Sequence, residues 1–261
     1  MLYHDQLGRT VEISVPPQRI ISVVPSQTEL LYHLGATVQG ITKFCVHPAA
    51  WFRSIPRVGG TKQLDLERIA ALRPDLIIAN KEENEKAQIE ALAARFPVWV
   101  SDIHTLADAC RMVTGLGDIL QRQAAAQHIR QQIEEGFSRL QPLPMAAPAA
   151  YFIWREPWMV AGGDTFIHDM MARCGFRNVF ADLPRYPAMG LAQLAASGCR
   201  LVLLSSEPYP FKEKHIAEIK AYLPDAEVLL VDGEMFSWYG SRLMFAPGYF
   251  DELITAVRAT I

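Results

Sequence analysis

The sequence predicts an α/β protein: two Rossmann-like lobes with mostly parallel central sheets, joined by one long backbone helix. Three observations predict it. Strand and helix signals alternate along the chain, the pattern of a parallel sheet. A gapless internal repeat pairs LERIAALRPDLIIA at 66–79 with LAQLAASGCRLVLL at 191–204. Between the two copies lies DILQRQAAAQHIRQQIEEGFSRL at 118–140, where Ile119, Ile129, Ile133, Phe137 and Leu140 make one apolar helical face. The expected division is an N-terminal lobe at 1–117, a linking helix at 118–141 and a C-terminal lobe at 142–261. A single doubly wound domain is the alternative, and it needs no duplication.

Composition narrows the function classes. The chain has 261 residues, enough for two modest domains. Half are apolar and a fifth charged, an ordinary globular composition. A net charge of −3 and a pI near 6.2 give no reason to expect nucleic acid. No apolar run approaches the length of a membrane span. The start, MLYHDQLGRTVEIS, does not read as a signal peptide. With Met1 as the native start the expected compartment is the cytoplasm; otherwise a leader was removed. Cys45, Cys110, Cys174 and Cys199 form no C-x-x-C pair, which argues against a zinc ribbon or a thioredoxin-type site. Their apolar surroundings suit buried free thiols, with a disulfide as the alternative.

The elements follow in order. Thr10 to Val15 reads as an edge strand before Pro16 and Pro17, and Ile20 to Val24 as a β-branched buried strand. Pro25 ends that strand, Ser26 or Gln27 opens a helix, and Gly35 closes it. Val38 to Thr42 is a strand, and KFCVHPAAWF the loop beyond it. A helix capped near Asp65 runs to Leu72, Leu76 to Ala79 is a strand, Glu85 to Arg95 a helix, and Val98 to Val100 a strand. Thr105 to Leu116 is a helix. Then comes the long rod, capped at Asp118 and stopped by Pro142 and Pro144. Its roughly 23 residues span about 35 Å. The C-terminal half repeats the plan: strand at 149–154, helix from Thr165 to Cys174, and a long loop RNVFADLPRYPAMG. A helix from Leu191 to Ser197 and a strand from Leu201 to Leu204 come next. A helix from Lys212 to Tyr222, a strand from Val228 to Val231, the loop DGEMFSWYGSRLMFAPGYF and a last helix complete it.

Ligands of such sheets bind beyond the carboxyl ends of the strands. Those ends carry PSQ at 25–27, KFCVHP at 43–48, NKEEN at 80–84, WREPW at 154–158, SSEPYPF at 205–211 and DGEMFSWYGSR at 232–242. Two facing lobes would line one cleft with them. Trp154, Trp158, Tyr209, Phe211, Phe236, Trp238 and Tyr239 crowd three loops of one half, the composition of a wide apolar pocket. Two or three of them are expected to pack their own loops. Arg155, Arg185 and Arg242 stand among them, to meet a ligand's acidic groups or to pair with Glu156, Asp182 or Glu234. No G-x-S-x-G, H-E-x-x-H or P-loop is present. Cys45 and His47 are two apart and would face one way in an extended segment, but a third metal ligand is missing.

RIISVVPSQTELLYHLGA, LERIAALRPDLIIA, the mid-chain helix and RNVFAD together resemble the substrate-binding proteins of ABC importers for cobalamin, haem and siderophores, the helical-backbone class III type. The resemblance runs from about residue 18 onward and is nearest the cobalamin-binding kind. It implies a monomeric, non-catalytic periplasmic protein with two α/β lobes on a rigid helix. It implies no required cofactor and no bound metal of its own. The ligand it implies is a metal chelate in the cleft: cobalamin, haem or a ferric siderophore.

Carried over by position, Pro25, Ser26 and Gln27 resemble the first ligand loop, and Cys45 and His47 the second. Thr61 and Lys62 fall where an aromatic is usual. Phe180 and Asp182 resemble cleft-side positions, with Arg185 and Tyr186 following, and Met235, Phe236 and Arg242 lie on the last ligand loop. Affinity is expected from stacking on Trp154, Phe236 and Trp238. Glu67 matches one of the two glutamates that dock the family on its ABC permease; its repeat counterpart is Ala192. That departure, the missing aromatic at 61–62 and the missing leader leave a cytoplasmic chelate carrier or sensor open. The runner-up is a cytoplasmic enzyme using Cys45 and His47 with Glu207 or Glu234 as acid–base groups. A structural subunit that holds a partner peptide is the third reading.

Overall fold

The computed structural model describes residues 1–260. The chain divides into two units. The first holds residues 1–103, 107–133 and 239–242; the second holds 104–106, 134–238 and the chain from Leu243 onward.

In the first unit, β1 (Leu2–His4) and β2 (Thr10–Glu12) form an antiparallel hairpin. Then follow β3 (Ile20–Ser22), α1 (Pro25–His33), β4 (Val38–Ile41), α2 (Ala49–Ser54) and α3 (Leu66–Ala71). β5 (Leu76–Asn80), α4 (Lys86–Ala93) and β6 (Val98–Ser101) complete the repeat region. The four longer-range strands make a parallel sheet in the order β4-β3-β5-β6. Every residue of β3, β5 and β6 is buried, as a parallel sheet covered on both faces requires. Pro25 does not merely end a strand. It is the first residue of α1, where its missing N–H costs nothing and its fixed φ is already helical. Asp65 caps α3, its side chain accepting from Arg68 N at 3.0 Å.

The helix expected from Thr105 to Leu116 is α5 (Leu106–Ile119), which runs on past Leu116, and the rod expected over 118–141 is α6 (Gln123–Arg139), which starts only at Gln123. Asp118 is no cap; it lies in the last turn of α5. The break has a tertiary cause. A Cβ on Gly117 would stand 2.3 Å from Ala126 Cβ, so the two helices close on each other over a bare glycine. Gln121 takes φ 55° in the turn between them. α6 is therefore 17 residues, about 25 Å. The division between units falls inside it, after Ile133. Ile129 and Ile133 are buried in the first unit, and Phe137 packs edge-on to Phe250 in the second, with centroids 6.1 Å apart.

The second unit repeats the plan. It contains β7 (Ala147–Trp154), β8 (Met159–Val160), α7 (Phe166–Arg173), β9 (Phe176–Asn178), α8 (Leu191–Ala196) and β10 (Leu201–Ser205). α9 (Glu213–Lys220), β11 (Glu227–Val231), α10 (Gly233–Ser237) and α11 (Ala246–Thr260) follow, with a 3-10 turn at Ser241–Met244 assigned partly to each unit. β9 pairs β7, and β7 pairs β10, which pairs β11, all in parallel. This is the strand order of the first sheet, with β7 standing for β3 and β9 for β4. β8 adds an antiparallel hairpin strand with no counterpart in the first unit. The sequence repeat is met residue for residue: α3 and α8 begin at Leu66 and Leu191, β5 and β10 at Leu76 and Leu201. The predicted α/β class with mainly parallel sheets is the class observed. The four cysteines are all free and buried, which settles the disulfide alternative.

Candidate functional site

The carboxyl ends of β3 to β6 carry the first unit's candidate residues. Pro25 is half-buried, but Ser26 and Gln27 point inward, at 5% and 0% exposure. They form the first turn of a helix, not a loop, and so cannot both face a ligand. The Gln27 amide meets Ser101 Oγ. Asn80 Nδ2 also donates to Ser101 Oγ, at 2.9 Å, and Asn84 Nδ2 donates to Val23 O and Thr61 O, both at 3.1 Å. These amides tie the strand ends to one another and to α1.

Cys45 is fully buried, where Thr28 Oγ1 donates to its Sγ and Thr42 Oγ1 lies equally close, each at 3.1 Å. Burial pushes its thiol above the ordinary value. A reactive thiol needs the reverse, an exposed electropositive setting. The enzyme reading thereby loses its nucleophile. The segment is not a strand, and of the two side chains only His47, half-buried, approaches the surface. Thr61 is half-buried and Lys62 exposed, its Nζ donating to Glu82 O. Glu67 is exposed on the first turn of α3, and Ala192 is exposed at the equivalent place on α8.

The loop after β4 holds side chains the sequence reading passed over. Phe44, Val46 and Phe52 are 50%, 39% and 36% exposed, and α2 has no buried residue at all. The signal was available: KFCVHPAAWF is as aromatic as the loops counted in the other half.

In the second unit, Trp154 ends β7 at 40% exposure and meets Tyr209 edge-on, centroids 5.7 Å apart. Arg155 begins the turn to β8. Its guanidinium is engaged by Glu218 at 2.8–2.9 Å and by Glu156, so it serves the fold as an ion pair. Phe180 lies in the core cluster of this unit. Phe236 is fully buried on α10 between Tyr151 and Phe250, with centroids 5.0 and 4.8 Å away. Neither ring is available for stacking. Trp238 is 6% exposed, and its Nε1 donates to Glu207 Oε1 at 2.7 Å, as does Ser237 Oγ at 2.8 Å. Burial raises the Glu207 carboxyl, against the pull of those two donors. Arg242, in the first unit, is held bidentately by Glu29 at 2.6 and 2.9 Å. Asp182 and Arg185 are exposed, and Tyr186 and Met235 half-buried. Among the described residues, no three His, Cys, Asp or Glu side chains are grouped to hold a metal ion. No helix among them is long and apolar enough to cross a membrane.

Beside Trp154 lies an aromatic nest around His215. Trp158 stacks on Phe211 at 5.8 Å, and His215 stands edge-on to Phe211 at 5.3 Å. His215 Nδ1 accepts from Lys212 N at 2.8 Å, capping α9, and this demands a neutral ring. Burial also lowers its pKa from the ordinary 6.5. An unfolded chain thus takes a proton near pH 6.5, the folded chain only at lower pH. Stability is full above that value and falls as the pH drops through it. His215→Gln keeps an acceptor at the capping position and removes the titration. Melting curves at pH 8 and about pH 5 should show wild type losing more than the variant; equal losses would refute this.

Comparison with known proteins covers both units. Residues 20–197 match the family model described as periplasmic binding protein. The vitamin B12-binding protein of Pectobacterium carotovorum subsp. carotovorum (strain PC1) is 26% identical over 253 residues, covering 92% of this chain and 90% of that protein. Among solved structures, the periplasmic vitamin B12 binding protein BtuF of Vibrio cholerae superposes with a TM-score of 0.79 at 21% identity, covering 93% and 98% of the two chains. The periplasmic haem-binding protein BhuT, solved with two haems, gives 0.74 at 21% identity, covering 91% and 98%.

Proposed function

This chain belongs to the periplasmic binding protein family, and on that premise we propose that it captures a metal chelate, a cobalamin, a haem or a ferric siderophore, for delivery to an ABC importer. The observation that carries the reading is the end-to-end likeness to vitamin B12-binding proteins, which spans both halves of the repeat. The side chains proposed to meet the ligand are exposed or half-exposed at the strand ends of each unit: Pro25, His47, Thr61 and Lys62 in the first, and Trp154, Asp182, Arg185, Tyr186 and Met235 in the second. Trp154 is the stacking platform, held upright by Tyr209. Binding is by shape, stacking and peripheral hydrogen bonds, without chemistry. The periplasm is the proposed compartment. Glu67 is the proposed contact with the permease. The absence of a carboxylate at Ala192 favours, as a second reading, a carrier or sensor that serves no importer.

Titration of the purified protein with cyanocobalamin, haemin and a ferric hydroxamate tests the reading. One of them should give a saturable one-to-one spectral shift and a raised melting temperature. Trp154→Ala should weaken that ligand about three- to tenfold. Silence toward all three would overturn the chelate reading.

A further inference from the structure

The loop between β4 and α3 has a charge pattern that the rest of the chain does not share. The protein carries 28 acidic residues, yet 30–64 contains none. The flanking acids are both engaged: Glu29 holds Arg242, and Asp65 caps α3. Within the stretch stand Lys43, Arg53, Arg57 and Lys62. Lys62 is turned to Glu82 O. Among the described residues, neither Lys43, Arg53 nor Arg57 is paired with a carboxylate.

Two of these cations, Lys43 and Arg57, lie beside exposed rings. Lys43 Nζ lies 5.1 Å from the Phe44 ring centre, and Arg57 Cζ lies 4.4 Å from that of Phe52. The two pairs belong to one hydrogen-bonded loop. Ile41 N donates to Pro56 O at 3.0 Å, Val58 N to Ile41 O at 2.9 Å, and Lys43 N to Gly59 O at 2.9 Å. α2, between them, bears Phe52 and Arg53 and buries nothing. A helix that exposes its aromatic ring beside unneutralised cations is built to meet something both flat and anionic. Apolar surface alone would leave the cations unexplained, and free phosphate alone would leave the rings.

We infer that this loop selects chelates whose rim bears carboxylates or other anions over chelates with a neutral amide rim. The inference rests on the proposed function and names the charge class of its ligand. The rings supply a face, and Lys43, Arg53 and Arg57 meet the rim anions.

Haemin, with two free carboxylates, haemin dimethyl ester, with none, and cyanocobalamin serve as probes. Haemin should bind about tenfold more tightly than its ester, and that margin should shrink as salt is raised. The double variant Lys43→Gln/Arg57→Gln should close the gap. Arg53→Gln, on the unburied helix, should narrow it without touching the loop's packing. Haemin and ester bound alike, or cyanocobalamin bound more tightly than haemin with full affinity in the double variant, would overturn the inference and leave chelate binding standing. Silence of haemin, its ester and cyanocobalamin while the ferric hydroxamate binds would also overturn the inference, and silence of all four would overturn the proposed function itself.

Discussion

Arg242→Ala is expected to cost about 3 kcal/mol of folding stability in the first unit. The guanidinium meets both oxygens of Glu29, at 2.6 and 2.9 Å, a fork-to-fork pair. The side chains are only 14% and 8% exposed. Truncating Arg242 leaves the Glu29 carboxylate buried without its counter-charge, and that penalty dominates the loss. The neighbours reinforce the geometry. Ser241 Oγ lies 2.8 Å from His33 Nδ1, and a Cβ on Gly240 would stand 3.3 Å from Leu30 Cβ. Residues 240–242 are thus stapled along α1. Adding Glu29→Met to Arg242→Met should return most of the stability, because both charges then leave together. Urea unfolding of the two singles and the double checks this. A single-variant loss below about 1 kcal/mol, the value of a surface pair, would show that the pair is solvated rather than buried.

The same pair marks where sequence reading reaches and where it stops. The repeat was legible because its signals are local: an apolar helix face followed by a β-branched run, at one fixed register in both halves. Leu66 and Leu191, and Leu76 and Leu201, begin matching elements for that reason. The start of α6 was not legible, because the contact of Gly117 with Ala126 belongs to tertiary packing while the apolar spacing runs on through alanines. Side-chain direction at the strand ends was least legible. Phe236 and Trp154 both looked like ligand aromatics, yet one fills a core and the other stands at the surface. Arg242 and Glu29 are 213 residues apart, so nothing local announces that each neutralises the other. Phe44 and Phe52 were visible in the sequence as loop aromatics; only their exposure singles them out.

Gly163→Ala tests the second unit's equivalent of such a constraint, with an expected loss of about 2–3 kcal/mol. Gly162 N donates to Arg185 O at 2.8 Å and Gly163 N to Leu183 O at 2.9 Å, continuing the pairing of Val160 N with Pro187 O at 3.1 Å. The loop 181–187 therefore lies flat against the glycines. A Cβ on Gly163 would sit 1.9 Å from Ala181 O and 2.8 Å from Ala181 C, backbone atoms that no rotamer change can clear. The loop must lift, and with it go the positions of Asp182, Arg185 and Tyr186, three of the proposed ligand contacts. Stability and ligand affinity should fall together in this variant. Gly248→Ala provides the contrast: nothing lies within 4 Å of its Cβ, and it stands inside α11. There alanine should be neutral or stabilising by up to about 1 kcal/mol, through helix propensity alone. If the two alanine variants melt at the same temperature, close packing of the 181–187 loop on Gly162 and Gly163 is not what fixes that loop in place.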